Sequence, residues 1–184
     1  MPRSPYHHGD LRATILTAAA ALVAQRGADA VSLRELARAA GVSHAAPAHH
    51  FTDRRGLFTA LAAQGYTMLA TALEQARPDF IDAAVAYVRF AIDNPGHYAV
   101  MFDRALVEPD DPELVAAQAG AAAELSAGVG SLNDPKATAD PDTARLAAWS
   151  LVHGFATLWL NEAVPRENPD AVVRRLGTML FDED

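Results

Sequence analysis

At residues 31–51 the chain carries the sequence V-S-L-R-E-L-A-R-A-A-G-V-S-H-A-A-P-A-H-H-F, which predicts two short helices joined by a tight turn. Ser32 and Glu35 have the spacing of a capping box, in which each side chain can satisfy the other residue's backbone N–H. A helix should therefore begin after Ser32. Gly41 should end that helix, and the small Ala37, four residues earlier, allows the next helix to approach closely. This combination is typical of a helix-turn-helix.

The second helix of the motif is predicted at His44 to His50, with Ser43 as its N-cap. Pro47 is then the fourth residue after the cap, where its missing N–H would have made the first intrahelical hydrogen bond. We therefore expect this helix to begin slightly loosened, and Phe51 to anchor its end in the core. The alternative interpretation is a pair of packed core helices that make no contact with DNA.

Helical patterns continue on both sides of the motif. Asp10 is expected to cap a first helix that runs to about Gln25, since its apolar residues follow the i, i+3, i+4 spacing. Thr52 or Asp53 should cap a long fourth helix. The predicted organisation is an N-terminal arm at 1–8, a helix-turn-helix domain at 9–56 with its motif at 32–51, a linking helix at 52–76 and a second domain at 77–184.

The rest of the chain also has the pattern of helices, and no strand pattern is found. A loop at 128–142 is expected to be mobile, because it is rich in Gly, Asp and Pro. The fold class is therefore all-α, a three-helix helix-turn-helix domain followed by a helical bundle, with about nine helices in total. The helices expected in the second domain lie at 79–92, 97–102, 114–125, 142–163 and 170–181.

The helix predicted at 142–163 is apolar on nearly every face. Such a helix must be buried on every face, and in a small domain the spare face usually meets another subunit. We therefore expect this helix to meet another subunit, with Leu151, Leu158 and Trp159 in the contact.

Charge is distributed unevenly along the 184 residues, whose formal net charge is −8. Residues 1–56 hold seven arginines and four acidic residues, a net charge of +3, so the remainder carries −11. Five of the seven histidines also lie in residues 1–56. This asymmetry indicates a head that binds a polyanion on an acidic body, and the alternative is a chance scatter of charge.

The N-terminal third resembles the DNA-binding domain of the TetR family of bacterial transcriptional regulators. Three stretches carry the resemblance: L-R-x-x-I-L at 11–16, V-S-L-R-E-L-A-R-A-A-G-V-S at 31–43 and H-H-F-T-D-R-R-G-L-F at 49–58. W-S-L-V-H-G-F at 149–155 resembles a tryptophan–histidine–glycine signature of one class of TetR-type C-terminal domains. The resemblance implies an all-helical homodimer that reads double-stranded operator DNA and binds a small effector in its C-terminal body. It also implies that the last two helices pair the subunits, which adds Val172, Leu176, Met179 and Leu180 to the expected interface.

Residue by residue, the resemblance also implies which side chains meet DNA. The positions that face base edges are Ser43, His44, Ala45 and His49. The positions at the DNA backbone are Ser32, Arg34, His50 and Arg54. Ala48 stands where the family usually has a tyrosine that packs on or bonds the DNA backbone, so we expect weaker or altered operator contact. Base reading should also be modest, because this helix lacks arginine, the commonest reader of guanine.

An apolar or aromatic effector is expected in the second domain, where aromatic residues recur. His153 is the best candidate for a polar contact within that pocket. Ordinary core packing is the alternative for each of these residues. The candidate pocket residues are Tyr87, Phe90, Tyr98, Met101, Phe102, Trp149, His153 and Phe155.

Other kinds of site find little support in the sequence. The histidine pairs His7-His8 and His49-His50 lack acidic or cysteine partners at ligand spacing, so no metal is expected, and no cofactor motif is present. The chain has no cysteine, no G-x-S-x-G, no phosphate loop and no H-E-x-x-H, so an enzyme is not expected. An apolar run of the ~20 residues that span a membrane is also missing, and the predicted location is the cytoplasm.

These patterns predict a ligand-responsive, dimeric transcriptional repressor that a small molecule releases from its operator. The alternative, from another class, is a dimeric small-molecule-binding module whose operator recognition is weakened or lost, with Pro47 and Ala48 as the sign of that loss. An enzymatic C-terminal body is a third interpretation, and it would require polar groups that converge in a pocket.

Overall fold

The computed structural model describes residues 8–181, and within them the chain is all-helical. The predicted fold class is therefore confirmed. The described helices number ten, with a short 3₁₀ turn at Ala28–Ala30. None of them has the length and apolar character needed to cross a membrane. The helices are α1 His8–Arg26, α2 Leu33–Ala39, α3 Ala46–Phe51, α4 Arg54–Gln75, α5 Phe80–Asp93, α6 Pro95–Met101, α7 Pro112–Gly130, α8 Pro135–Ala139, α9 Pro141–Leu160 and α10 Pro169–Leu180.

The chain divides into two compact units, and each unit is made of two segments. Unit 1 contains Met1–Gly65 and Asn94–Val115, and unit 2 contains Tyr66–Asp93 and Ala116–Asp184. Two of the three boundaries between the units thus fall inside α4 and α7, and the third lies between α5 and α6. Unit 1 therefore includes α6 and the segment after it, which sequence reasoning had placed in the C-terminal domain.

Unit 1 is built around α1, whose buried face includes Ile15, Leu16 and Ala19. This helix packs against α2, α3 and α6. The contact with α6 is unusually close, because a Cβ atom added at Gly96 would overlap the backbone carbonyl of Ala20. Only glycine allows two helix backbones to approach to this degree.

Unit 2 places α5 against both α9 and α10. Phe80 and Phe181 meet edge to face, with ring centroids 5.2 Å apart, in a buried cluster with Ile81 and Val129. Gly177 of α10 lies directly on the Ile81 side chain and leaves no room for a Cβ atom there. The core of unit 2 is therefore a layer of apolar side chains between these helices.

The prediction of a mobile loop at 128–142 was wrong. Helix α7 continues to Gly130, and α8 occupies Pro135–Ala139. The fully buried Asp134 caps α8, since its Oδ1 accepts hydrogen bonds from the backbone N–H of Lys136 at 2.6 Å and of Ala137 at 3.1 Å. The Asp-Pro pair is a helix start signal, because proline is tolerated at the first helical position.

Several helix ends also differ from the prediction by a few residues. Helix α1 begins at His8, two residues before the expected cap at Asp10, and the predicted arm lies almost entirely outside the described residues. Helix α9 is capped by Asp140 rather than by Asp142 or Thr143. It ends at Leu160 rather than at 163, because Glu162 adopts a left-handed φ of 57° that a helix cannot continue through.

Candidate nucleic-acid interface

The capping box at the start of α2 is present and confirms the predicted helix start. The backbone N–H of Glu35 donates to Ser32 Oγ at 3.2 Å, and the Ser32 hydroxyl donates to Glu35 Oε2 at 2.9 Å. The hydroxyl and the backbone N–H of Ser32 hold the pKa of the Glu35 carboxyl below its usual range. Ser32 and Arg34 are both exposed at this end of α2, as a backbone contact requires.

The turn between α2 and α3 has the predicted glycine geometry. Gly41 adopts a φ of +66°, a left-handed conformation that costs glycine little. Its N–H donates to the carbonyl of Arg38 at 3.2 Å, and the N–H of Val42 donates to the carbonyl of Ala37 at 3.0 Å. These two bonds form a Schellman motif, which satisfies the last carbonyls of α2 and directs the chain into α3.

Helix α3 begins two residues later than predicted, and Ser43 is not its cap. The N-cap is Ala45, which makes no side-chain capping bond, while Ser43 accepts from the N–H of Ala46 through its backbone carbonyl at 3.0 Å. Pro47 is therefore the second helical residue, where an N–H has no acceptor within the helix. The predicted loosening was wrong, because the buried Pro47 is compatible with the helix start.

The residues expected to face base edges lie on an exposed surface of unit 1. Ser43, His44 and Ala45 occupy the exposed turn before α3, and His49 is exposed on the helix itself. Ala45 and His49 are four residues apart, so they lie on the same side of α3. Phe51 is buried at the end of the helix, as predicted.

Arg54, which the resemblance places at the DNA backbone, is bound to the protein itself. Its Nε donates to the carbonyl of Val31 at 3.0 Å, and its Nη2 donates to the carbonyl of Ala28 at 2.7 Å. The guanidinium also lies over the Phe58 ring, 4.8 Å from its centroid. Arg54 thus holds the segment before α2 against the first turn of α4, and its contact with phosphate stays a prediction.

Arg55 connects the start of α4 to the segment after α6. Its Nε and Nη2 donate to the carbonyl of Val107 at 3.0 and 2.8 Å, and its Nε lies 3.1 Å from Glu108 Oε1. The N–H of Glu108 in turn donates to Thr59 Oγ1 at 2.9 Å. Sequence reasoning missed this connection, because the acceptor is a backbone carbonyl 52 residues away in the chain.

Arg12 is a second cation of unit 1 that meets this later segment. Its Nη2 lies 3.1 Å from Glu113 Oε2, and its guanidinium lies 5.6 Å from the centroid of the Phe51 ring. The segment at 94–115 holds five acidic residues and one arginine, a net charge of −4 against +3 for residues 1–56. Residues 57–65 are uncharged, so unit 1 as a whole carries −1.

The predicted effector residues are divided between the two units. Unit 1 contains Tyr98 and Met101, which are buried, and Phe102, which is half-buried. Unit 1 also contains a buried histidine that sequence reasoning missed, His97, whose Nε2 lies 3.1 Å from Gln64 Oε1. Burial lowers the pKa of His97 below its ordinary value.

In unit 2 the structure brings three of the predicted residues together. The Trp149 indole N–H donates to the Tyr87 hydroxyl at 3.2 Å, and that hydroxyl lies 3.1 Å from His153 Nδ1. Tyr87 is fully buried, and burial lowers the pKa of His153 below its ordinary value. The neutral imidazole is therefore favoured. Phe90 and Phe155 are buried in the same unit.

A cavity of about 20 Å³ lies next to this group, between α4, α5, α7 and α9 of unit 2. Tyr87 is the predicted pocket residue that lines it. Two charged residues that were not predicted, Glu124 and Arg145, line it as well. No sequence motif marks these two residues, since they occupy different helices.

The residues predicted for the dimer interface lie mainly on an exposed face of α9 and α10. A groove of about 500 Å³ runs between these helices, and Leu158 and Met179 are 47% and 83% exposed. Trp159 differs, because it is buried within the subunit, with its ring 5.9 Å from that of Phe155. Leu180 is half-buried. The predicted residues lining the groove are Leu151, Leu158, Val172 and Leu176.

An all-helical chain with an exposed, capped helix-turn-helix is the architecture of a DNA-binding transcriptional regulator. Comparison with known proteins makes this specific. Residues 15–61 match the family described as bacterial regulatory proteins, tetR family, and residues 80–180 match the tetracyclin repressor-like C-terminal domain. The chain belongs to the TetR family of transcriptional regulators.

Individual relatives agree with this assignment. The chain is 32% identical over 164 residues to the uncharacterized HTH-type transcriptional regulator YobS of Bacillus subtilis (strain 168), covering 83% of this chain and 81% of YobS. A structure of a protein with unknown function from Rhodococcus sp. RHA1 is 33% identical, with a TM-score of 0.76 and 97% of each chain covered. The TetR family regulator PfmR from Thermus thermophilus, at 20% identity, shares the fold, with a TM-score of 0.72 over 91% of this chain and 96% of PfmR.

Proposed function

We propose that this protein is a transcriptional repressor that a small molecule releases from its operator. The observation that carries the proposal is the exposed turn and helix, Ser43 to His49, which the capping box and the Schellman motif hold in place in a chain of the TetR family. In the proposal, Ser43, His44, Ala45 and His49 meet base edges, and Ser32, Arg34, His50 and Arg54 lie at the DNA backbone.

The repressor acts as a homodimer in this proposal. The apolar groove between α9 and α10 and the exposed Leu158 and Met179 support a subunit contact there, because monomeric surfaces rarely leave such side chains exposed together. A two-fold dimer would place two copies of α3 in successive major grooves, roughly 34–36 Å apart or a simple multiple of that spacing.

The effector site is proposed in unit 2, a TetR-type C-terminal domain. The hydrogen-bonded group of the buried Tyr87 and the half-buried Trp149 and His153, together with the adjacent cavity, supports this placement. The W-S-L-V-H-G-F sequence that supplies Trp149 and His153 is proposed to place the domain in the tryptophan–histidine–glycine class. A cytoplasmic location follows for a protein that binds chromosomal DNA.

Fluorescence anisotropy with a labelled fragment of the protein's own promoter region tests operator binding. We expect specific binding that weakens steeply with salt, because DNA binding releases counterions from phosphates. The double variant His44→Ala/His49→Ala should lower affinity by about tenfold or more and retain the fold, since both side chains are exposed. Arg104→Ala, an exposed position of unit 1 outside the motif, is the matched control. Equal affinity of the double variant and the wild type would contradict the assignment of base contacts.

The second candidate function is a dimeric ligand-binding module whose operator recognition is weakened or lost. Two observations favour it: Ala48 is exposed at the position where the family usually has tyrosine, and unit 1 carries a net charge of −1. Arg54 and Arg55 are also bonded to carbonyls of the protein itself. Under this alternative, the promoter fragment binds no more tightly than a scrambled fragment at any salt concentration.

A further inference from the structure

Unit 2 contains two neighbouring cavities that share part of their lining. The inner cavity, of about 20 Å³, has space for roughly one water molecule and apolar walls that include Leu73, Phe80 and Val152. The outer cavity, of about 290 Å³, lies among α7, α8 and α9. Val129 and Arg145 line both, so these two side chains lie where the cavities meet.

Arg145 is the cation of these linings, and its ion pair is weak. Glu124, in the inner lining, is compensated by Arg77, whose Nη2 lies 2.6 Å from Glu124 Oε2. The acidic neighbour of Arg145 is Asp142, one helical turn away at 3.6 Å and 94% exposed, and such a solvated pair is weak. The cavities therefore offer a guanidinium without a strong carboxylate partner.

The two hydroxyl groups that line the outer cavity are not available to donate to an anion. The Ser126 hydroxyl donates to the carbonyl of Ala122 at 2.9 Å, and the Thr138 hydroxyl donates to the carbonyl of Asp134 at 3.0 Å. Their hydrogens are thus committed to the backbone. A guanidinium has five N–H donors in a planar fork and binds a carboxylate through two of them.

We propose that the effector is an amphiphilic anion, with a carboxylate or similar head bound by Arg145 in the outer cavity and an apolar tail that enters the inner cavity. This inference rests on the proposed function as a ligand-responsive repressor. The inner cavity is too small for a tail as it stands, so tail entry separates α5, α7 and α9. The protein would then have two states, one with these helices together and one with them apart. A ligand that binds better to the separated state shifts the equilibrium toward it.

Isothermal titration calorimetry of the full chain tests the inference with three ten-carbon ligands: decanoate and decyltrimethylammonium below their micelle concentrations, and decanol below its solubility limit. Decanoate should bind at least about tenfold more tightly than the other two. Arg145→Gln should remove that preference, and Arg145→Lys should keep part of it, because a lysine retains the charge but lacks the fork. Arg104→Gln, an exposed arginine of unit 1, is the control and should bind decanoate like the wild type.

Several results would overturn the inference: equal affinity for decanoate and decanol, preference for the cation, binding of none of the three, or an unaltered preference in Arg145→Gln that circular dichroism shows to be folded. Anisotropy with the promoter fragment then separates this inference from the proposed function. Decanoate that binds but leaves bound DNA in place contradicts its role as effector, whereas a protein that never binds the fragment contradicts the repressor itself.

Discussion

Arginine side chains of the two units make different kinds of contact. In unit 1, Arg54 and Arg55 donate to backbone carbonyls of sequence-distant segments at 2.7–3.0 Å. In unit 2, Arg89 and Arg174 pair with the carboxylates of Asp170 and Asp82 on the exposed surface. Arg54 and Arg55 thus position the main chain around the recognition motif, whereas Arg89 and Arg174 link surfaces that apolar packing already holds together.

The largest effect on stability is expected at the close backbone contact between α1 and α6 of unit 1. Gly96→Ala places a Cβ atom on the carbonyl of Ala20, and backbone cannot move aside as a flexible side chain can. We expect a loss of about 3 kcal/mol in the free energy of unfolding, measured by urea denaturation. Gly120→Ala is the matched control. Gly120 lies in helix α7, and a Cβ atom added there would meet open space, so alanine should raise the free energy of unfolding by about 0.5–1 kcal/mol. Similar stability changes in the two variants would contradict the close approach of α1 and α6.

The difference between the arginine contacts of the two units can be tested by the same substitution, arginine to methionine, in each unit. Arg54→Met removes two hydrogen bonds to carbonyls and should lower the free energy of unfolding by about 1–2 kcal/mol. Arg89→Met removes a pair that is about half exposed and should cost no more than about 0.5 kcal/mol. Equal losses in chemical denaturation of the two variants would show that arginines serve the same purpose in both units.

The local features of the recognition motif were predictable, because their signals lie within a few residues. The Ser32–Glu35 box and the Gly41 turn are examples. The start of α3 differs from the prediction because Ser43 does not cap it with its side chain, and the helix begins at Ala46 with Pro47 in its first turn. Asp134 and Pro135 are typical of a helix start, but the Gly and Asp residues around them are typical of a loop.

The long-range features were not predictable from the sequence. The acceptors of Arg54 and Arg55 are main-chain carbonyls, and a carbonyl has no residue type that marks it. The net charge of +3 on residues 1–56 predicts a head that binds a polyanion, and nothing in the sequence shows that the acidic segment at 94–115 packs into the same unit. Glu124 and Arg145 approach one cavity from different helices, which only the fold reveals.

Tyr87→Phe tests the buried polar group of unit 2. The variant keeps the ring but leaves the Trp149 indole N–H and His153 Nδ1 without the hydroxyl that they share in the wild type. We expect a loss of about 1 kcal/mol, since a buried polar group without its partner retains its desolvation penalty. Near-ultraviolet circular dichroism should change with it, because Trp149 loses its hydrogen bond. A Tyr87→Phe variant as stable as the wild type would contradict the role of the group.

The smallest effect is expected from pH, and it concerns both units. Burial lowers the pKa of His97 in unit 1 and of His153 in unit 2. As the pH falls, these two imidazoles therefore bind protons at a higher pH in the unfolded chain than in the folded chain. The stability that this contributes is fully present above about pH 6.5, the ordinary histidine pKa, and is lost as the pH falls through the folded pKa values. The urea midpoint should therefore be lower at about pH 5.5 than at about pH 7.5, and His97→Gln should reduce the difference. A difference that His97→Gln and His153→Gln together fail to reduce would assign the pH dependence to other groups and not to these two imidazoles.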